Sequence, residues 1–166
     1  MKVMVMGGYP ASLVKFRGPL IREMRSLGHE VIAVAGAEDN DVREALARDG
    51  VEYRSVPLAR AGLNPAQDIN TLWHLARCLR KIKPDVLLAY TIKPVIYGGL
   101  AARLVSQGIV YSWITGLGYT FMDSGSIQRA TVNLVSRSLY RLSLRFSRRV
   151  FFQNQDDVEC LARLRI

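Results

Sequence analysis

Cysteine and histidine are nearly absent from this chain, and each scarcity removes a class of chemistry. The two cysteines, Cys78 and Cys160, both fall in stretches of helical pattern without metal-ligand spacing. A disulfide scaffold and a structural zinc site are therefore excluded, and both residues read as reduced packing side chains of a cytosolic protein. The two histidines, His29 and His74, have no partners in any Ser-His-Asp or Cys-His pattern, so nucleophilic hydrolysis has no support. No stretch approaches the roughly 18 consecutive apolar residues of a membrane span, so any membrane contact is peripheral. The short apolar run after Met1-Lys2 is too brief for a secretion signal and suits a first strand. Acids are also in deficit. Asp and Glu number 14 against 23 Lys and Arg, for a net charge of +9, and that imbalance calls for an anionic partner such as phosphate, an acidic membrane surface or nucleic acid.

What is present is a repeating rhythm of short apolar runs and helical patterns across 166 residues, a length suited to one domain. Val3–Met6, Val31–Ala35, Val51–Val56, Asp85–Tyr90, Ile109–Ile114 and Arg149–Gln153 read as strands. Helical patterns fill the gaps, starting near Gly18, at Asp41–Arg48, after the Asn64-Pro65 start signal, from Pro94 to about Gly108, at Ile127–Ser147 and from Asp156 onward. The second long helix is expected to bury Ile69, Leu72, Trp73, Ala76, Leu79 and Ile82. Strict β-α alternation predicts an α/β Rossmann-like, doubly wound parallel sheet of strand order 3-2-1-4-5-6. That order sets the loop after the first strand beside the loop after the fourth.

Several features at those strand ends could carry chemistry. Gly7-Gly8 would let backbone N–H groups approach an anion, or is a tight turn with no ligand; the Gly-x-Gly-x-x-Gly fingerprint of dinucleotide oxidoreductases is missing. Arg17 on the same rim either clamps a phosphate or is simply solvated. Lys93 stands at a helix start, where the dipole disfavours a cation, and so suggests an anion to be met. Thr115-Gly116-Leu117-Gly118 forms the matching loop one strand over, and Asn154 is a ligand contact or a helix cap. Asp39-Asn40-Asp41 has an Asp-x-Asp spacing but reads as a cap rather than a metal site. Between Ser126 and Arg149 stand six arginines and no acid, so this segment supplies +6 of the +9. Val132, Val135, Leu139, Leu142 and Phe146 are expected on the buried side of that helix. Arg137, Arg141, Arg145 and Arg148 then form a solvated basic face, a contact for anionic lipid or a contact for nucleic acid.

Tyr90-Thr91-Ile92-Lys93-Pro94, Tyr97-Gly98-Gly99, Ile114-Thr115-Gly116-Leu117-Gly118, Gly62-Leu63-Asn64-Pro65, Leu139-Tyr140-Arg141-Leu142 and Phe152-Gln153-Asn154 together resemble the N-terminal domain of the glycosyltransferase 4-like family. Within it the chain is most similar to transferases that build polyprenyl-diphosphate-linked oligosaccharides for O-antigen, capsule or protein glycosylation. The resemblance implies a two-domain GT-B enzyme that transfers sugar from a nucleotide-sugar with retention, without metal or other cofactor. Residues 1–166 would be its acceptor-binding half, the donor-binding half being absent. It further implies the first glycine loop, Gly7 and Gly8, at the donor diphosphate; joined to the residue reading, it makes Arg17, Thr91, Lys93, Tyr97, Thr115, Gly116 and Asn154 the expected acceptor contacts, and the charge of Arg137, Arg141, Arg145 and Arg148 sets that helix on the cytoplasmic face of the membrane. Many relatives carry a histidine near the position of Tyr90. A self-sufficient basic module for nucleotides or nucleic acid is the alternative.

Overall fold

The computed structural model describes residues 1–59, 64–117, 127–164 and 166, the side chains of 127–133 excepted. Gly118, the Gly62-Leu63 pair and the side chains of Arg129 and Val132 lie outside the described residues. The elements run β1 (Lys2–Met6), α1 (Pro10–Lys15), α2 (Gly18–Ser26), β2 (Glu30–Ala35), α3 (Asn40–Arg48), β3 (Glu52–Ser55), α4 (Pro65–Ile82), β4 (Val86–Tyr90), α5 (Ile92–Val105), β5 (Ile109–Ile114), α6 (Ile127–Leu144), β6 (Ser147–Phe152) and α7 (Gln155–Arg163). All strand pairs are parallel, in the order β3-β2-β1-β4-β5-β6. This is the expected α/β Rossmann-like sheet, and the order reverses between β1 and β4.

Two cores flank the sheet. On one face α4, α5, α6 and α7 cover Met4, Met6, Leu87, Ala89, Val110 and Ile114. On the other, α1, α2 and α3 cover Val3, Val5, Val31, Ala33, Val86 and Tyr90. Strands buried on both sides read as continuous apolar runs, which is why β1, β2 and β4 stand out in the sequence.

Four expectations need correcting. The helix expected from Gly18 is there as α2, but a short helix that was not expected, α1, precedes it, with Pro10 at the first helical position, where its missing N–H costs nothing. Likewise α5 begins two residues before Pro94. In α4 the buried face is Thr71, Leu75, Ala76, Leu79 and Ile82, while Ile69 and Trp73 are exposed. Among the described side chains of α6 the buried residues are Ser136, Tyr140 and Ser143, with Val135 and Leu142 exposed. The reason is close packing against α5: the Ser143 hydroxyl donates to the Val95 carbonyl (2.5 Å) and fills the space a side chain at Gly99 would need. The solvent side of α6 therefore mixes Leu134, Val135 and Leu142 with Arg141, and Arg145 follows in the next turn.

Candidate functional site

The carboxyl ends of β1 and β4 meet where the strand order reverses, the place where open α/β sheets bind ligands. Gly7 continues β1 by donating its amide to the Val34 carbonyl (3.0 Å). A side chain there would collide with the ring of Tyr90, so the room left by Gly7 is taken by that ring. Tyr90 is 2% exposed, and its hydroxyl pairs with that of Ser12 at 2.7 Å. Burial pushes its phenol up. Gly8 is the glycine that faces the opposite turn: a methyl on it would come 3.1 Å from the Thr91 hydroxyl.

Thr91 itself has φ 67 and ψ 162, a region almost confined to glycine. Its side chain makes no cap hydrogen bond to α5. A β-branched residue in that backbone costs on the order of 1–3 kcal/mol, and such strain concentrates at functional turns.

Lys93 enters α5 with its ammonium 3.1 Å from an Asp68 oxygen in α4, both side chains 12% exposed. Burial, with the Asp68 carboxylate nearby, pushes the buried Tyr97 phenol up. The cation expected to meet an anion unaided therefore already has a carboxylate partner. Asp68, 25 residues away in sequence, had no local signal to reveal it.

One strand over, Thr115 and Gly116 follow β5, and the next amide, that of Leu117, donates to Asp157 (3.2 Å). Asp157 also accepts from the Asn154 amide group (2.9 Å), while Asn154 accepts from the Asp157 backbone (2.8 Å). Asn154 is thus the cap of α7, and Asp157 ties that cap to the loop after β5. Asp157 was missed; the Asn-x-x-Asp spacing at the start of a helix is the signal that could have found it.

Arg17 lies on the other face of the sheet, beside the same strand ends. Its guanidinium stacks 3.8 Å from the centroid of Trp113 and 4.8 Å from that of Tyr90. Burial lowers its pKa. The arginines expected at a membrane surface sit elsewhere: Arg141 on α6, Arg145 in the turn after it and Arg148 on β6 are exposed, whereas Arg137 is half-buried. Asp39 is occupied in capping α3 through the Val42 amide (3.0 Å), and among the described residues no three of His, Cys, Asp and Glu gather as metal ligands.

The glycosyl transferase 4-like domain family matches residues 15–166. The N,N'-diacetylbacillosaminyl-diphospho-undecaprenol alpha-1,3-N-acetylgalactosaminyltransferase of Campylobacter jejuni subsp. jejuni serotype O:2 is 27% identical over 154 residues, 93% of this chain and 40% of the relative. Among solved structures, the UDP-GlcNAc 2-epimerase of Neisseria meningitidis superposes with TM-score 0.65 at 17% identity, over 100% of this chain and 44% of that one. Acinetobacter baumannii MurG gives 0.56 at 16%, over 91% and 40%. The structural likenesses show the fold alone. The chain spans less than half the length of each of these proteins.

Proposed function

Because this chain belongs to the glycosyl transferase 4-like family, we propose that it forms the acceptor-binding half of a retaining GT-B transferase. That enzyme would move a sugar from a nucleotide-sugar to a polyprenyl-diphosphate-linked saccharide in bacterial surface-polysaccharide or glycan synthesis. The observation that carries this reading is the meeting of Gly8 and the strained Thr91 at the point of strand reversal, within a chain similar along 93% of its length to a transferase named for a diphospho-undecaprenol substrate.

In this reading the Gly7-Gly8 turn faces the donor diphosphate, with Gly8 as its open member. Thr91, Thr115 and Gly116 line the acceptor side. Lys93, balanced by Asp68 and flanked by Tyr97, offers the acceptor sugar a set of donors and acceptors suited to hydroxyl groups rather than a bare positive charge. Catalysis rests on positioning and on stabilising the departing diphosphate. No resident metal or cofactor belongs to the proposal. The exposed α6 arginines with Leu134, Val135 and Leu142 would rest on the anionic inner face of the cell membrane. No helix among the described residues is long and apolar enough to cross it.

The test is transfer of a radiolabelled sugar from a panel of nucleotide-sugars to polyprenyl-diphosphate-linked saccharides. The full-length enzyme transfers; residues 1–166 alone do not. Turnover by this chain alone would refute the division of labour between two domains.

A further inference from the structure

Among the described residues, no helix covers one part of the sheet. The elements α1, α2 and α3 cover the β1, β2 and β3 side of the second face, and α5, α6 and α7 lie against β5 and β6 on the first. On the second face of β5 and β6, Tyr111 and Trp113 are half-buried and Phe151 is 49% exposed. Register pairs Trp113 with Phe151 and Tyr111 with Arg149, and the Tyr111 and Phe151 rings lie 6.1 Å apart. An aromatic strip thus runs along the edge of the sheet.

Arg17 closes the upper end of this strip. The residue is 7% exposed, and among the described residues no carboxylate pairs with it. Its hydrogen bonding is one long contact from Nη1 to the Phe16 carbonyl (3.3 Å), and Nε is buried without a partner. It also stands at the N-cap of α2, a nine-residue helix with no side-chain cap and no acid in its first turn. A buried guanidinium with donors to spare, at an uncapped positive helix end, is an anion site. Lys93, the other cation near these strand ends, is already matched by Asp68.

We propose that Arg17 holds the diphosphate of a polyprenyl diphosphate and that the strip of Trp113, Tyr111 and Phe151 takes its first isoprenoid units. The inference rests on the transferase reading above and names where the lipid part of the acceptor lies. One ligand satisfies both halves: a doubly charged head for the guanidinium, and an extended apolar chain for a strip that is open rather than a closed pocket.

The test uses this chain with Trp73→Phe, which leaves Trp113 as the single tryptophan; Trp73 is 55% exposed on α4, remote from the strip. Trp113 emission, checked by calorimetry, follows titration with farnesyl diphosphate below its micellar concentration, inorganic pyrophosphate and UDP. Farnesyl diphosphate binds most tightly. Arg17→Met weakens both farnesyl diphosphate and pyrophosphate about 10- to 100-fold, the worth of lost charged hydrogen bonds. Arg17→Lys, which keeps the charge and guards against misfolding, gives an intermediate loss. Phe151→Ser weakens farnesyl diphosphate about fivefold through lost apolar contact, and pyrophosphate less. Lys81→Met, an exposed charge on α4, changes none of these. Unaltered affinity in both Arg17 variants overturns the proposal, and so does UDP binding as tightly as farnesyl diphosphate with no effect of Phe151→Ser. If the full-length enzyme transfers sugar while Arg17→Met binds farnesyl diphosphate normally, the site is wrong and the transferase reading stands. If Arg17-dependent binding persists without transfer, the reaction is misread.

Discussion

Adding one methyl at Gly7 tests how the turn after β1 is built. The nearest atoms to such a methyl are the hydroxyl and ring carbons of Tyr90, closer than real side chains ever approach. The ring has nowhere to go: it is 2% exposed, held by Ser12 at 2.7 Å and covered by Arg17 at 4.8 Å. The alternative is for the chain to move, which breaks the Gly7 bond to Val34. Overpacking of this kind costs about 3 kcal/mol, the upper part of the usual range. For a domain of this size that lowers Tm by about 6–12 °C. Circular dichroism during heating and urea denaturation reads the loss. Tyr90→Leu lacks all three atoms closest to the added methyl, so Gly7→Ala should cost little in that background, a coupling of roughly 3 kcal/mol. If Gly7→Ala lies within about 0.5 kcal/mol of the parent, or if the two changes simply add, the packing argument fails. Gly8→Ala is the contrasting variant. Its methyl comes 3.1 Å from the Thr91 hydroxyl and in ordinary contact with the Pro94 ring, so stability falls by less than about 1 kcal/mol while the rim changes shape.

Thr91→Gly should be more stable than Thr91→Ala by about 1 kcal/mol or more in urea denaturation, since both lose the hydroxyl and only alanine keeps the strain at φ 67. Asp157→Ala should cost about 1–3 kcal/mol and speed hydrogen exchange at the Leu117 amide, which loses its buried acceptor. Tyr90, Tyr97 and Tyr140 are raised above the ordinary tyrosine value of 10, chiefly by burial. The folded state then holds these protons more tightly than the unfolded one. The stabilisation is fully present below about pH 10 and lost as pH rises above it. Phenolate absorbance should show these tyrosines ionising together with alkaline unfolding, and independent early ionisation of all three would contradict their burial.

Strand positions and strand order were readable because strands buried on both faces leave unbroken apolar runs, as in Val86–Tyr90. The helix faces were less so. In α6, Ser136 and Ser143 are both buried, Ser143 because the approach to Gly99 admits only a small side chain, and their polarity points the wrong way. In α4, Trp73 looks like core yet lies outside, edge-on to His74 at 4.8 Å. α1 has only six residues, too few to show a helical period. At the site, glycine and threonine announced the turns, whereas partners distant in sequence did not. Nothing local ties Lys93 to Asp68, or Arg17 to Trp113.

The same topology separates the bulk of the charge from the crevice. Helices in a parallel sheet run against the strands, so cations at their carboxyl ends gather at the amino edge of the sheet. Arg77, Arg80, Lys81 and Lys83 at the end of α4, Arg141 and Arg145 at the end of α6, and Arg148 at the start of β6 all lie there. Strands of five or six residues at about 3.3 Å each set that edge about 17–20 Å from Gly8 and Thr91. The Debye length at physiological salt is about 8 Å, so these charges scarcely reach the crevice. Attachment to an anionic surface and capture of a diphosphate should therefore be separable. Reversing Arg141, Arg145 and Arg148 to Glu should weaken sedimentation with phosphatidylglycerol vesicles about 100-fold or more, at roughly 1 kcal/mol per charge. Pyrophosphate affinity should move by less than about twofold at physiological salt, since the reversed charges are screened. Equal losses in both assays would mean that one continuous basic surface serves both tasks and that Arg17 has no special place in it.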